Sequence, residues 1–154
     1  MIAVLQRTLH DEFPITRHLA VRVAHAQLER VSLTAPLAEN RNHKGTAFAG
    51  SLNAVATLAG WSWLWLLLDS HQEVAQVVVQ DSTIHYNRPV LTNFTALCEA
   101  PSMAAIAQCL AALRRSGRGR MRLSVEIADD HGVAVAFSGR FVAERIRGRP
   151  AGAP

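Results

Sequence analysis

The residues best placed to do chemistry sit where a polar loop runs into an apolar stretch. The loop Glu39-Asn40-Arg41-Asn42-His43-Lys44-Gly45 passes through Thr46-Ala47 into Phe48-Ala49-Gly50-Ser51. A helix opening near Phe48 leaves its first N–H groups without intrahelical partners, at the positive end of its dipole. Such groups can receive negative charge that builds on a carbonyl oxygen. Gly50 carries no side chain, so a carbonyl can approach the backbone closely, and the N–H groups of Ala49 and Gly50 are the expected oxyanion donors. The plainer alternative is that Gly50 only eases packing. Asn42 can orient a substrate through its donor and acceptor, or it forms a turn by bonding its own backbone. His43, with an unperturbed pKa of ~6.5, is a candidate acid or base, set against the reading of a solvent-facing loop histidine.

A second group lies further along. Asp81 and His85 are four apart in a strand-like run and share a face, which makes Asp81 a candidate catalytic carboxylate and His85 a candidate substrate contact. Asp81 capping a turn or pairing with Arg88 is the structural alternative. Ser51 stands outside any Gly-x-Ser-x-Gly elbow, so it caps or lines the helix start rather than acting as a nucleophile. The histidines are scattered and Cys98 and Cys109 lack ligand spacing, so no metal is expected. The two cysteines are expected buried and reduced, with a disulfide as the alternative.

These residues must be positioned by surrounding elements. An amphipathic helix is expected over Ile2–Phe13, ended by Pro14. Alternation at Leu19, Val21 and Val23 reads as strand, continued by Gln27–Leu33, and Pro36 closes that region. An apolar helix is placed over Phe48–Leu68, then a β-branched strand from Val77 to Pro89 and another at Phe94–Glu99. Met103–Arg115 reads as helix, with strand competing. Arg120–Ala128 and Val133–Ile146 alternate around the Asp130-His131-Gly132 turn and form an antiparallel hairpin. This order gives an α+β architecture. A helix apolar all round needs cover on several sides, which a curved sheet supplies, with a second protomer completing the seal. Trp61, Trp63 and Trp65 on its far half belong mostly to that core, an acyl pocket or dimer interface being the alternative.

Length and composition agree with one globular domain over residues 1–146, followed by a disordered tail over 147–154. The +4 charge, from 16 basic against 12 acidic residues, suits an acidic ligand or carrier and is too small to argue for nucleic acid. Arg114, Arg115, Arg118, Arg120 and Arg122 read as a solvated surface turn, or as a dock for phosphates. From Gly45 to Leu68 no residue is charged, which is long enough to span a bilayer at about 1.5 Å per residue. Thr46, Ser51, Asn53, Thr57 and Ser62 punctuate the stretch, and the buried centre of a fold is preferred over a membrane span. Met1–His10 lacks the pattern of a signal peptide, so a cytoplasmic location is expected.

The run from Asn42 to Leu52, the continuation Leu58-Ala59-Gly60-Trp61 through Trp65-Leu66-Leu67-Leu68, and Asp81–Tyr86 with Arg88-Pro89-Val90 resemble the YiiD C-terminal-domain family of putative thioesterases. The resemblance implies a hotdog fold, a curved antiparallel sheet wrapped around a long central helix. It also implies an acyl thioester substrate on coenzyme A or acyl carrier protein, so that phosphopantetheine enters as part of the substrate and no separate cofactor is needed. A homodimer, or a tetramer, is the expected assembly. More distantly, the loop is similar to that of phenylacetate-pathway thioesterases: Asn42 matches their Asn, and Phe48-Ala49-Gly50 occupies their His-Gly-Gly position. Thr57 falls where their catalytic carboxylate would be. Phe48, Ser51 and Thr57 are therefore placed around the substrate, with Arg114, Arg115 and Arg118 docking the phosphates or the carrier. Three functions follow: thioester hydrolysis, decarboxylation of malonyl-acyl carrier protein supplying acetyl units for fatty acid synthesis, and non-catalytic acyl-thioester binding.

Overall fold

Leu5 and Leu9 recur one turn apart and are fully buried, which fixes the inner face of α1 (Ile2–Glu12). In the computed structural model, which describes residues 1–146, a one-turn α2 (Ile15–His18) follows Pro14. The expected tail, residues 147–154, lies outside the described residues. Next come β1 (Arg22–Gln27) and β2 (Arg30–Ala35), joined by the two-residue turn Leu28-Glu29. The alternation had suggested one continuing strand. The reversal instead lets Val31 and Leu33 join Val23 and Ala26 in the core, and the Leu28 carbonyl accepts the Trp63 indole N–H at 3.0 Å.

The chain continues through α3 (Leu37–Asn40) into the polar loop and then α4 (Ala49–Ser70), the central helix. After it come β3 (Ala75–Tyr86), β4 (Phe94–Glu99), α5 (Met103–Ser116), β5 (Arg118–Asp129) and β6 (Gly132–Arg145). The strands form a six-stranded sheet in the order β1-β2-β4-β5-β6-β3, with every pairing antiparallel. The sheet curls so that α4 touches all six strands. By length and composition α4 could cross a bilayer, but 78% of its most apolar window is buried within the fold. Trp63, Leu64, Val55 and Ala59 are sealed completely, so this helix is the core and the sheet is its wrapping.

The two sheet edges differ. At β1, the Gln6 side chain of α1 takes up the exposed backbone: Oε1 accepts from Val23 N at 2.7 Å and Nε2 donates to Val21 O at 3.0 Å. At β3, no described strand pairs with the outer side of its 12 residues, and Val78 and Val79 are 49% and 42% exposed.

The arginine cluster is not a surface turn. Arg114 and Arg115 occupy the last turn of α5, and Gly117, at φ +75°, makes the left-handed cap that ends it. Arg118, Arg120 and Arg122 then point away from α4 along β5, because their alternation with Gly119, Met121 and Leu123 has the period of a strand. Cys98 and Cys109 are free and buried, and burial pushes the Cys98 thiol up to about 12.

Candidate functional site

The loop before α4 is a tight hairpin closed by an isolated bridge between Arg41 and Ala47. Asn42 organises it. Its Oδ1 accepts from the N–H groups of Lys44 at 2.8 Å and Thr46 at 3.3 Å, while Nδ2 donates to Thr46 Oγ1 at 2.9 Å. The Asn42 N–H reaches Thr46 O at 2.7 Å, and Gly45, at φ +80°, turns the tip. Asn42 thus makes the bonds of the turn-forming reading, with one Nδ2 hydrogen beyond them, and His43 stands exposed at the tip.

The loop is anchored from both sides. Ala47 N donates to Val90 O at 2.8 Å and Phe48 N to Asn40 O at 2.7 Å. Asn40, unremarked in the sequence, is almost fully buried, and its Nδ2 donates to Leu19 O and Pro36 O at 2.9 and 2.8 Å. It brackets the turn that delivers the chain to α4.

The start of α4 is open. Its N-cap is Phe48, which has no side-chain oxygen to cap with, and the first backbone bond runs from Leu52 N to Phe48 O at 3.0 Å. The N–H groups of Ala49, Gly50 and Ser51 find no acceptor among the described residues. The Phe48 ring folds back over Gly50: a β-carbon there would lie 2.3 Å from Phe48 Cε1. Gly50 therefore serves packing as well as access. Tyr86 lies on the other side, donating its hydroxyl to Ala49 O at 3.1 Å, and partial burial raises the pKa of its phenol. Ser51 points into the core and is buried.

From Gly50 a partly exposed stripe runs along α4 through Asn53, Ala54 and Thr57 to Trp61, the spacing of one helix face. Trp61 ends it. Its indole N–H donates to Val77 O at 2.9 Å, Phe13 meets it edge-on at 4.8 Å, and Trp65 stacks at 6.3 Å. Asn53, named in the sequence only as an interruption of an apolar run, has its Oδ1 buried with no partner.

Asp81 and His85 share a face, and it is the outer one. Their neighbours Ser82, Ile84 and Tyr86 pair with Gly139, Phe137 and Val135 and face α4, which leaves Asp81, opposite Arg140, and His85, opposite Ala136, on the far side of the sheet. Asp81 does not pair with Arg88. It is clamped by Arg122 at 2.9 Å and Arg140 at 3.4 Å, while Arg88 binds Asp129 at 2.5 Å and pins the β5–β6 turn. The Asp129 carboxyl is held below its ordinary value by the His131 backbone N–H and by Arg88.

At the opposite end, Arg114 meets Glu73 at 2.6 Å, which lowers the pKa of that carboxyl, and Arg118 meets Glu144 at 2.7 Å. Arg115 and Arg120 are exposed with no ion pair among the described residues. A cleft of about 500 Å³ lies between Gly117, Arg118, Arg120, Glu144 and Arg145. Among the described residues no three acidic, histidine or cysteine side chains gather as a metal site would need. The arrangement at α4 can therefore stabilise negative charge through backbone donors, with hydroxyl and amide groups beside them and no carboxylate or imidazole on the stripe.

A family model described as putative thioesterase (yiiD_Cterm) matches residues 2–145. A solved structure of a protein of unknown function from Chlorobaculum tepidum TLS superposes with a TM-score of 0.89 at 27% identity, covering 93% of each chain. A putative thioesterase from Shewanella oneidensis superposes at 0.84 with 26% identity, covering 93% of this chain and 96% of that one. The PaaI protein of the phenylacetic acid degradation operon of E. coli shares the fold at 0.66 and 15% identity, over 96% of this chain and 98% of that one.

Proposed function

Because the chain belongs to the putative thioesterase family of the YiiD C-terminal type and has the hotdog fold, we propose that it processes acyl thioesters at the open start of α4, hydrolysing acyl groups carried on coenzyme A or acyl carrier protein. The observation that carries this reading is the uncapped N-terminus: three N–H groups without acceptors among the described residues, behind a loop anchored by hydrogen bonds on both sides. Hydrolysis passes through a tetrahedral oxyanion, and a preorganised donor aimed at such an oxygen contributes roughly 3–4 kcal/mol of transition-state stabilisation. Ala49 and Gly50 supply the donors, with the Phe48 ring lying against Gly50.

Decarboxylation of a malonyl thioester is the second reading, and the absence of a base on the stripe favours it. Thr57 stands there in place of a carboxylate, Asp81 is clamped on the outer face, and His43 projects from the loop tip. Decarboxylation needs none of them. The bond from the α-carbon to the carboxylate breaks, its electron pair passes into the enolate whose oxygen the N–H groups hold, carbon dioxide leaves, and a water proton adds to the α-carbon, the hydroxide left over combining with carbon dioxide as bicarbonate.

The open β3 edge supports a homodimer, since an unpaired strand with exposed Val78 and Val79 is a template for a second copy. Arg115, Arg118 and Arg120 suit the phosphates of coenzyme A or an acidic carrier. The test is mass spectrometry of malonyl- and acyl-loaded coenzyme A and carrier protein after incubation with the protein. Free thiol establishes the thioesterase; loss of carbon dioxide with the thioester intact establishes the decarboxylase. A ligand bound and unchanged leaves a binding module and ends the catalytic reading.

A further inference from the structure

Asn40 is 1% exposed and fastens three segments at once. Its Nδ2 donates to Leu19 O, just after α2, and to Pro36 O, just ahead of α3, while its own carbonyl accepts the Phe48 N–H at 2.7 Å. Both amide hydrogens are thereby used, and Oδ1 lies buried with no partner among the described residues. A leucine would fill much the same space without that bare acceptor, but it would take the donor away from both carbonyls. What asparagine contributes at this position is therefore its two donors.

Those bonds bear on the start of α4 through the backbone. Asn40 and Phe48 form the base of the hairpin whose bridge joins Arg41 to Ala47 and whose tip Asn42 organises. Phe48 is the N-cap, at ψ 131°, and that torsion orients the planar peptide that carries the Ala49 N–H. No side chain caps this N-terminus, so the direction of its first N–H groups depends on where the hairpin base is held. Resting on the thioester reading above, we infer that Asn40 is a positioning residue for the reaction: by fixing Phe48 it aims the N–H groups of Ala49 and Gly50 at the thioester oxygen, without touching the substrate itself. An oxyanion donor acts where its N–H already points at the place the charge develops. A shift of about 1 Å at the hairpin base therefore costs turnover, while ground-state binding by the rest of the site stays much as it was. The effect of losing the two donors belongs in kcat and not in KM.

The test is steady-state turnover of acetyl, butyryl and malonyl thioesters of coenzyme A and of acyl carrier protein by the native protein, Asn40→Leu and Asn40→Ser. Rates are taken well below each melting temperature and counted per folded chain by circular dichroism. Asn40→Leu removes both donors, and Asn40→Ser keeps one at shorter reach. Val31→Ala, a buried change in β2, measures what lost stability does by itself and is expected to leave kcat per folded chain as it is. In Asn40→Leu kcat is expected to fall by about tenfold to a hundredfold with KM within about twofold of the native value, and in Asn40→Ser to fall less. Amide resonances of Ala49 and Gly50 are expected to move, while those of Trp63 and Leu64 in the sealed middle of α4 stay. Where Asn40→Leu does not fold, Asn40→Ser is read against the same native values. A native kcat in the folded variants, a KM that rises as kcat falls, or an equal loss in Val31→Ala overturns the role of Asn40 alone. Absence of turnover of every thioester by the native protein overturns the thioester reading and this inference with it.

Discussion

Phe48 and Gly50 are coupled at the start of α4. An alanine β-carbon at position 50 would meet the Phe48 ring at 2.3 Å, but that ring is 54% exposed and can swing outward. Gly50→Ala also gains about 1 kcal/mol of helix propensity. The substitution is therefore expected to leave stability unchanged within about 1 kcal/mol while displacing the ring, crowding the donor N–H groups and lowering kcat/KM at least tenfold. Denaturant unfolding alongside steady-state turnover checks both halves. At this scale the sequence was informative about local chemistry and silent about long-range partners. The two readings of Asn42 were both visible, because a turn is decided within five residues, and the bonds of the turn-forming reading are present in the loop. The partner of Asp81 was not visible: Arg122 and Arg140 come from strands far along the chain, and the irregularity between Val79 and Asp81 helps set the register that brings them together. Asn53 was visible only as a polar residue in an apolar run, since nothing local says whether such a residue finds a partner.

The elements followed their hydrophobic periods closely. The 22-residue central helix, the alternating β5–β6 hairpin and β4 all lie where composition and alternation placed them. The turn at Leu28-Glu29 escaped notice because it contains no Gly, Pro, Asn or Asp to announce it. The tolerance of α4 is governed by what wraps it. A β-carbon at Gly60 would meet Phe141 Cζ at 2.6 Å, and Phe141 is completely buried, so unlike Phe48 it has nowhere to go. Gly60→Ala is expected to destabilise the protein by about 1–3 kcal/mol despite its better helix propensity. A lower denaturation midpoint with an unchanged slope would bear this out; an unchanged midpoint would mean that the sheet yields around the helix.

For the whole molecule, the wrapped helix was legible because an all-round apolar helix demands cover, and the curl of the sheet provides it. Which edge stays open was not legible, since it depends on where α1 comes to rest. Pairing of β3 with a second copy predicts that Val78→Lys combined with Val79→Lys converts a two-chain particle into a single chain, read by light scattering after size exclusion. A mass unchanged by the double substitution would place the interface elsewhere.

The geometry of β3 pairing limits how far it can go. A sheet that grows by adding strands needs two free edges, one to receive and one to offer, and head-to-tail growth then continues into a filament. At β1 the Val23 N–H is engaged by the Gln6 side chain and α1 packs beside the strand, while β3 lies along the other edge without a described partner on its outer side. Pairing of β3 with β3 uses the same surface on both chains and closes on itself. Growth by β3 pairing therefore ends at two chains, although that edge is 12 residues long and carries Val77, Val78 and Val79 in succession.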